Sequence, residues 1–576
     1  MPRRRHALAA PFLVAVLVPA LACVRGAAAP AAARAAPPLE LRAVALTDLH
    51  GHLLPERGLG GAPALGAAVR RARAGYEGRF LLLSAGDLVG ASPAISGLLQ
   101  DEPTVAFVDG LANARCRPLE PERRSDPDAL AYDPGCDVVG TLGNHELDEG
   151  LPELVRLLRG GNHARGPFLE DPWRGASWPT VSANVVERAT GRRPFPPFVV
   201  REVGGVRVGV VGALTRTAPQ LLLPSVAGTL EVGDEADAIN AAVRSLRALG
   251  ARAIIVLLHE GGDQQGYPGW TRRDAPAPEG EVVRIVARLD PEVDVVVAGH
   301  THRFVNAWLP NAVGTPVLVV EPLSAGKALA TVDLRVDPAS GDVVSARAAI
   351  EEVPANGPAD PEAAALVARA QARIEPLVAR VVGESAAPLA AAAGSAGESR
   401  LGDLVADALR AAAGTDVALV NPGSLRADLA AGPVTWGALY AVEPFGNDIV
   451  ALSLTGAQLL EILEQQWRGA RSRPLQVSGL AYGWDPARPP GARVVWARVG
   501  GRPVEAAARY TVAAPSFLAE GGDGFSALAR EPARRVGVTD VEALEAHIAR
   551  LPRPFPPPVG GRIVRETSAG APARSR

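Results

Sequence analysis

The chain has 576 residues and is 48% hydrophobic, enough for real cores and too long for one ordinary domain, so two or three domains are expected. Its formal net charge is −3, from 59 basic and 62 acidic residues. No polybasic block breaks that balance, so the charge gives no support to a nucleic-acid polymer or an anionic membrane surface as partner.

The N-terminus opens with Arg3-Arg4-Arg5, continues through an apolar stretch from Ala7 to Ala22, and reaches small residues by Ala29. This is the layout of a secretory signal peptide, assigned to residues 1–28, and it predicts an exported protein of the periplasm or cell surface. The stretch is short for a membrane span, and no later run reaches about 18 apolar residues, so no transmembrane helix is expected in the mature chain. Cys23, directly after Ala22, is a candidate for lipid attachment. Residues 29–39 read as an Ala/Pro linker.

From 40 to 353, short Val-, Ile- and Leu-rich runs alternate with helical stretches such as Ala62–Ala74 and Asp234–Leu249, the pattern of an α/β domain. Five of the runs end in residues that bind metals. Leu41–Leu46 leads to Asp48 and His50, and Phe80–Leu83 to Asp87. Val138–Leu142 leads to Asn144-His145-Glu146, Ile254–Leu258 to His259, and Val293–Val297 to His300 and His302. Ligands in open α/β sheets bind beyond the carboxyl ends of strands. The runs therefore gather oxygen and imidazole donors at one edge, as a two-metal hydrolytic centre requires.

Asp48 and His50 alternate on one strand end and face the same side. A carboxylate such as Asp87 can bridge two cations. His145 is free to meet a substrate if Asn144 is a ligand, and Asp148, three residues on, can hold its imidazole in one tautomer. His52 reads as a supporting residue, and His6, His163 and His547 have no local support. The stretch 111–135 reads as an inserted loop. It carries Cys116, with Cys136 just beyond, an even pair that is a disulfide candidate in an exported protein.

Pro354–Pro358 marks a break, and Asp360–Val382 has apolar residues at helical spacing, so 354–385 is expected to be a linker helix. A second α/β unit follows over 386–565. Its first helix, Leu401–Ala413, ends at Gly414, a good C-cap. Residues 566–576 read as a disordered tail.

The strand-end blocks resemble the five blocks of the calcineurin-like metallophosphoesterases. The strings Thr47–Leu53 (TDLHGHL) and Gly143–Asp148 (GNHELD) resemble the 5'-nucleotidase and UDP-sugar hydrolase branch. The resemblance covers about residues 40–560. It implies a four-layer αββα metallophosphoesterase domain, the linker helix and a C-terminal α/β substrate-binding domain. It also implies two divalent ions (Zn, Mn, Co or Mg). Asp87 would bridge them; Asp48, His50 and His302 would hold one, and Asn144, His259 and His300 the other. His145 and Asp148 would be catalytic.

Three further blocks are similar to those of the branch's C-terminal domain. They are Asn421-Pro422-Gly423-Ser424-Leu425-Arg426, Pro444-Phe445-Gly446-Asn447, and Phe517 followed by Gly521-Gly522-Asp523-Gly524-Phe525. By resemblance, Phe445 and Phe517 sandwich a base, Asp523 accepts from ribose hydroxyls, Asn447 contacts base or sugar, and Arg426 pairs with a phosphate or carboxylate. Two departures stand out. Ala391–Gly397 (AAAGSAG) lacks the arginine that family members carry upstream of this domain's first helix, leaving Arg400, just past Glu398, as a substitute; Pro422 is also unusual.

The expected activity is hydrolysis of nucleotides to nucleoside and phosphate by a metal-activated water. The alternatives are a 2',3'-cyclic nucleotide phosphodiesterase/3'-nucleotidase, a UDP-sugar hydrolase, a thiosulfohydrolase, against which Phe445 and Phe517 argue, and a non-enzymatic nucleotide-binding surface protein.

Overall fold

A computed structural model describes residues 36–120, 133–164, 166–467, 472 and 474–566. The expected signal peptide, Cys23, most of the Ala/Pro linker, the centre of the insertion and the tail beyond Glu566 lie outside the described residues. Among the described residues, no helix is long and apolar enough to cross a membrane. Pro38 onward forms one compact unit.

Two six-stranded sheets build its first half. One runs in the order Val343–Glu352, Ala328–Val336, Leu39–Leu46, Phe80–Ser84, Val138–Thr141, Thr180–Val181. The other runs Phe304–Pro310, Pro316–Pro322, Val295–Ala298, Ala253–His259, Val206–Leu214, Phe198–Val203. Strand alternation decides which face each residue serves. Leu41, Ala43 and Ala45 meet Ile255 and Leu257 between the sheets. Val44 and Leu46 turn outward to the helix Ala62–Arg73, and Ile254, Val256 and Leu258 turn outward to the helix Glu235–Ala248. Both faces of both sheets are thus covered, which is why these strands read as continuous apolar runs. The layers are helix, sheet, sheet, helix, as the resemblance implied.

The linking helix is Pro361–Val378, capped by Asp360, whose carboxylate accepts from Ala363 N at 2.8 Å. Its buried stripe of Ala363, Leu366, Val367, Ala370 and Ile374 completes the helical layer of the first half. The helix is shorter than the sequence pattern suggests. Val381–Ser385 is instead a strand paired with Gly432–Thr435, because the β-branched pair Val381-Val382 and Gly383 find a strand partner there.

The second half centres on a five-stranded sheet ordered Gln476–Ser478, Val417–Val420, Arg509–Pro515, Asp448–Thr455, Arg534–Thr539. Ala418 and Val420 face the helices Arg400–Ala413 and Asp540–Ile548. Val417 and Leu419 face the helix Gly456–Gln465. Gly414 ends the first of these helices in the left-handed conformation expected of a C-cap.

Cys116 and Cys136 are joined by a disulfide across 20 positions. Closing a loop of that size stabilises a fold by about 3 kcal/mol in the chain-entropy account. Peptide mapping of the unreduced protein should therefore recover the two cysteines as one linked pair. Recovery of both as free thiols would refute the bridge.

Candidate metal centre and substrate cleft

The parallel strands Leu39–Leu46, Phe80–Ser84 and Val138–Thr141 in one sheet, and Ala253–His259 and Val295–Ala298 in the other, end near one another. Their loops carry all seven expected ligands. Asp48, Asp87, Asn144 and His259 are at most 3% exposed. Five of the seven, Asp48, His50, Asp87, His300 and His302, have positive φ, between 46° and 75°. Non-glycine residues avoid that region unless the surroundings impose it, and functional sites are where such strain collects. Two motif glycines let the loops approach: a Cβ on Gly143 would collide with Asp87, and one on Gly299 would stand 2.5 Å from Thr47 Oγ1.

The side-chain donor atoms of these residues lie close together. His50 Nε2 is 3.1 Å from His302 Nε2 and 3.7 Å from Asp87 Oδ2, and His302 Nε2 is 3.5 Å from Asp48 Oδ1. On the other side of Asp87, His259 Nε2 is 3.2 Å from Asp87 Oδ2 and 3.3 Å from Asn144 Oδ1. The ligand atoms of Asp48, His50, Asp87 and His302 form one group, those of Asp87, His259 and His300 a second, and Asp87 belongs to both.

Backbone carbonyls orient two of the imidazoles toward the groups. His50 Nδ1 is 2.9 Å from Gly90 O and His259 Nδ1 is 2.8 Å from Ala85 O. A carbonyl takes only a donor, so each Nδ1 carries a proton and each Nε2 faces inward, where it can offer its lone pair to a cation. The mixed His/Asp/Asn set suits a borderline transition metal at least as well as Mg.

Two carboxylates to which the sequence pattern assigns no role frame this centre. Glu146, inside the GNHELD string, accepts from the backbone N–H groups of Asp87, Leu88 and Gly143 at 2.9, 2.8 and 2.5 Å, tying two ligand loops together. Glu321 accepts from Gly262 N and Thr301 Oγ1 and so braces the His300–His302 loop. Glu146 was visible as a motif letter. Glu321 lies in an ordinary strand and has no sequence signal. His52 Nδ1 faces the carbonyls of Leu49 and His50, a supporting place.

His145 stands beside the centre, its ring 5.0 Å from that of His50. Its Nδ1 is 2.8 Å from Asp148 Oδ2, the predicted pair. Burial opposes charge on this imidazole, but Asp148 and Asp87 outweigh it and lift the pKa to about 9. Burial likewise acts against charge on Asp87, yet the imidazoles of His259, His145 and His50 hold it well below the carboxylate range.

One cleft of about 370 Å³ joins this centre to the second half of the chain. Asp87, Asn144, His145, His300 and His302 line it from one side; Arg426, Phe445, Asn447, Phe517 and Asp523 line it from the other. Topology explains the meeting. The Asn421–Arg426 loop leaves the end of Val417–Val420, Phe517 follows the end of the parallel neighbour Arg509–Pro515, and Asn447 precedes the antiparallel Asp448–Thr455. All three blocks reach the same edge of one sheet. Phe445 lies nearly parallel to His145 at 6.3 Å, and the Arg426 guanidinium is 5.8 Å from the Phe445 ring. Arg400 does not line the cleft; it donates to Pro558 O and lies 3.7 Å from Asp403. Nothing in the structure makes it the missing upstream arginine.

Comparison with known proteins agrees with this geometry. The calcineurin-like phosphoesterase family model matches residues 41–304, and the 5'-nucleotidase C-terminal domain model matches 381–530. The chain belongs to this two-domain metallophosphoesterase family. It is 32% identical to an endonuclease of Bacillus subtilis over 91% of its own length and 41% of the relative's. It is 34% identical to a cell wall protein of Listeria monocytogenes over 77% of its own length and 57% of the relative's. The chain thus spans about half the length of these curated relatives. Among solved structures, a 5'-nucleotidase precursor from Thermus thermophilus is similar with a TM-score of 0.69 and 29% identity, covering 92% of this chain and 99% of that one.

Proposed function

We propose that the protein is an exported phosphoesterase that hydrolyses nucleotides to nucleoside and phosphate. The observation that carries this reading is the single cleft in which His145 and the ligand cluster face Phe445, Phe517 and Asp523. The base stacks between the two phenyl rings, Asp523 accepts from the ribose hydroxyls, and Arg426 meets the phosphate. Divalent cations held there would supply Lewis acidity and activate a water toward phosphorus. Asp48, His50 and His302 would hold one ion, Asn144, His259 and His300 the other, with Asp87 contributing to both. The imidazole of His145, kept protonated by Asp148, stabilises the transferring phosphoryl group or protonates the leaving oxygen. Export is supported by the N-terminal sequence and by the disulfide, which persists in oxidising compartments.

The test is a substrate panel with added Mn or Zn: AMP, UDP-glucose, 2',3'-cyclic AMP and bis(p-nitrophenyl) phosphate. AMP should be cleaved best. No phosphate release from any of them would sink the reading. Phe517→Ala should raise KM for AMP about tenfold or more through lost stacking while changing small aryl phosphates much less. Equal losses on both would argue against a stacked base.

A further inference from the structure

Asn447 is held to Asp540 by three hydrogen bonds. Its backbone N–H and its side-chain Nδ2 both donate to Asp540 Oδ2 at 3.1 Å, and Asp540 N donates to Asn447 O at 2.9 Å. Asp540 is fully buried, and its other oxygen accepts from Val541 N at 2.8 Å in the first turn of the helix Asp540–Ile548. A carboxylate only accepts, so the amide of Asn447 has one permitted orientation: NH₂ toward Asp540, carbonyl oxygen away from it. Asn447 lines the cleft.

Asn421 has the same polarity. Its Nδ2 donates to Asp523 Oδ2 at 3.0 Å, while its Oδ1 is buried in the cleft wall without a hydrogen-bond partner, in a side chain 4% exposed. Two side-chain amides therefore have their NH₂ groups committed to carboxylates, and among the described residues neither amide oxygen has a hydrogen-bond partner. Behind them, Glu443 is 1% exposed and accepts from Ser424 Oγ at 3.1 Å. Burial, with Asp540 adding to it, keeps the Glu443 carboxyl well above the usual range; burial also lifts Asp540, to about 6, so Asp540 is the stronger acid of the two.

We propose that Asp540 is a positioning residue that locks Asn447 with its amide oxygen toward the cleft, so that the site selects nucleobases bearing an exocyclic amino group. An amino edge donates to this oxygen. An oxo edge at the same position would set acceptor against acceptor and leave both oxygens desolvated without a donor. Adenine and cytosine are then favoured over hypoxanthine and uracil. The inference rests on the nucleotide reading above.

The experiment compares kcat/KM for CMP against UMP and for AMP against IMP, pairs that exchange an amino group for an oxo group at one position. It uses the full chain, as wild type, Asn447→Ala and Asp540→Ala. Wild type should favour the amino member of each pair by about tenfold. Both variants should bring the ratios to within about twofold of one. The ratio is internal, so a general loss of activity does not move it. A wild-type ratio near one overturns the proposal, and so does a folded Asp540→Ala protein that keeps the wild-type ratio. Should Asp540→Ala lose its far-UV circular dichroism, Asp540→Ser carries the same comparison. If none of the four nucleotides releases phosphate while an aryl phosphate ester is still cleaved, the nucleotide reading itself has failed, and this inference with it.

Discussion

Asp87→Asn should lower kcat/KM by at least about 10³ and reduce tightly bound metal from two ions per chain to one or fewer. Asp87 Oδ2 is the oxygen shared by both ligand groups, 3.2 Å from His259 Nε2 and 3.7 Å from His50 Nε2. An amide keeps the shape but removes the charge and one of the two acceptor oxygens, so it cannot bridge two cations. The clamp on attacking and leaving oxygens would be lost with it. The backbone consequence is smaller: Asp87 Oδ1 accepts from His145 N at 2.8 Å, and the amide oxygen can keep that bond. Elemental analysis alongside steady-state kinetics checks the outcome. Two retained ions with near-normal turnover would remove Asp87 from its bridging place.

His145→Asn should lower kcat by about 10²-fold or more and leave metal content unchanged, because His145 is next to the cluster without belonging to it. Its pH dependence has a definite sign. A pKa raised to about 9 by Asp148 and Asp87 keeps the imidazole charged below that value, so its contribution is present at neutral pH and lost as pH rises. Cations held at Asp87 would oppose that residue's share of the shift and move the descending limb below 9. The limb should be absent in the variant. A variant with wild-type kcat, or with an unchanged alkaline limb, would assign the chemistry elsewhere.

Much of the metal centre was legible in the sequence because strand physics is local. An apolar run ending in Asp48 and His50, or in His300 and His302, states both the strand and the edge at which it stops. Five such endings in one α/β segment leave few ways to arrange the donors except together. The linker helix and the capped helix ending at Gly414 were legible for the same reason, being set by periodicity and caps within the segment. The linker's far end was not. Val381–Ser385 became a strand because Gly432–Thr435, about fifty positions on, offered it a partner.

What the sequence determined by itself is therefore the set of donors, the edge of the sheets they occupy and the helix-and-strand alternation that puts them there. Each follows from side-chain spacing over a few residues. What only the tertiary structure decided is the pairing of groups far apart in the chain. Glu321 braces Thr301, Asn421 turns its NH₂ toward Asp523, and Asp540 fixes the amide of Asn447, 93 positions away. Those contacts depend on which strand edges meet and which carboxylates are buried. Long-range packing sets both, and no local pattern encodes the direction in which an amide faces.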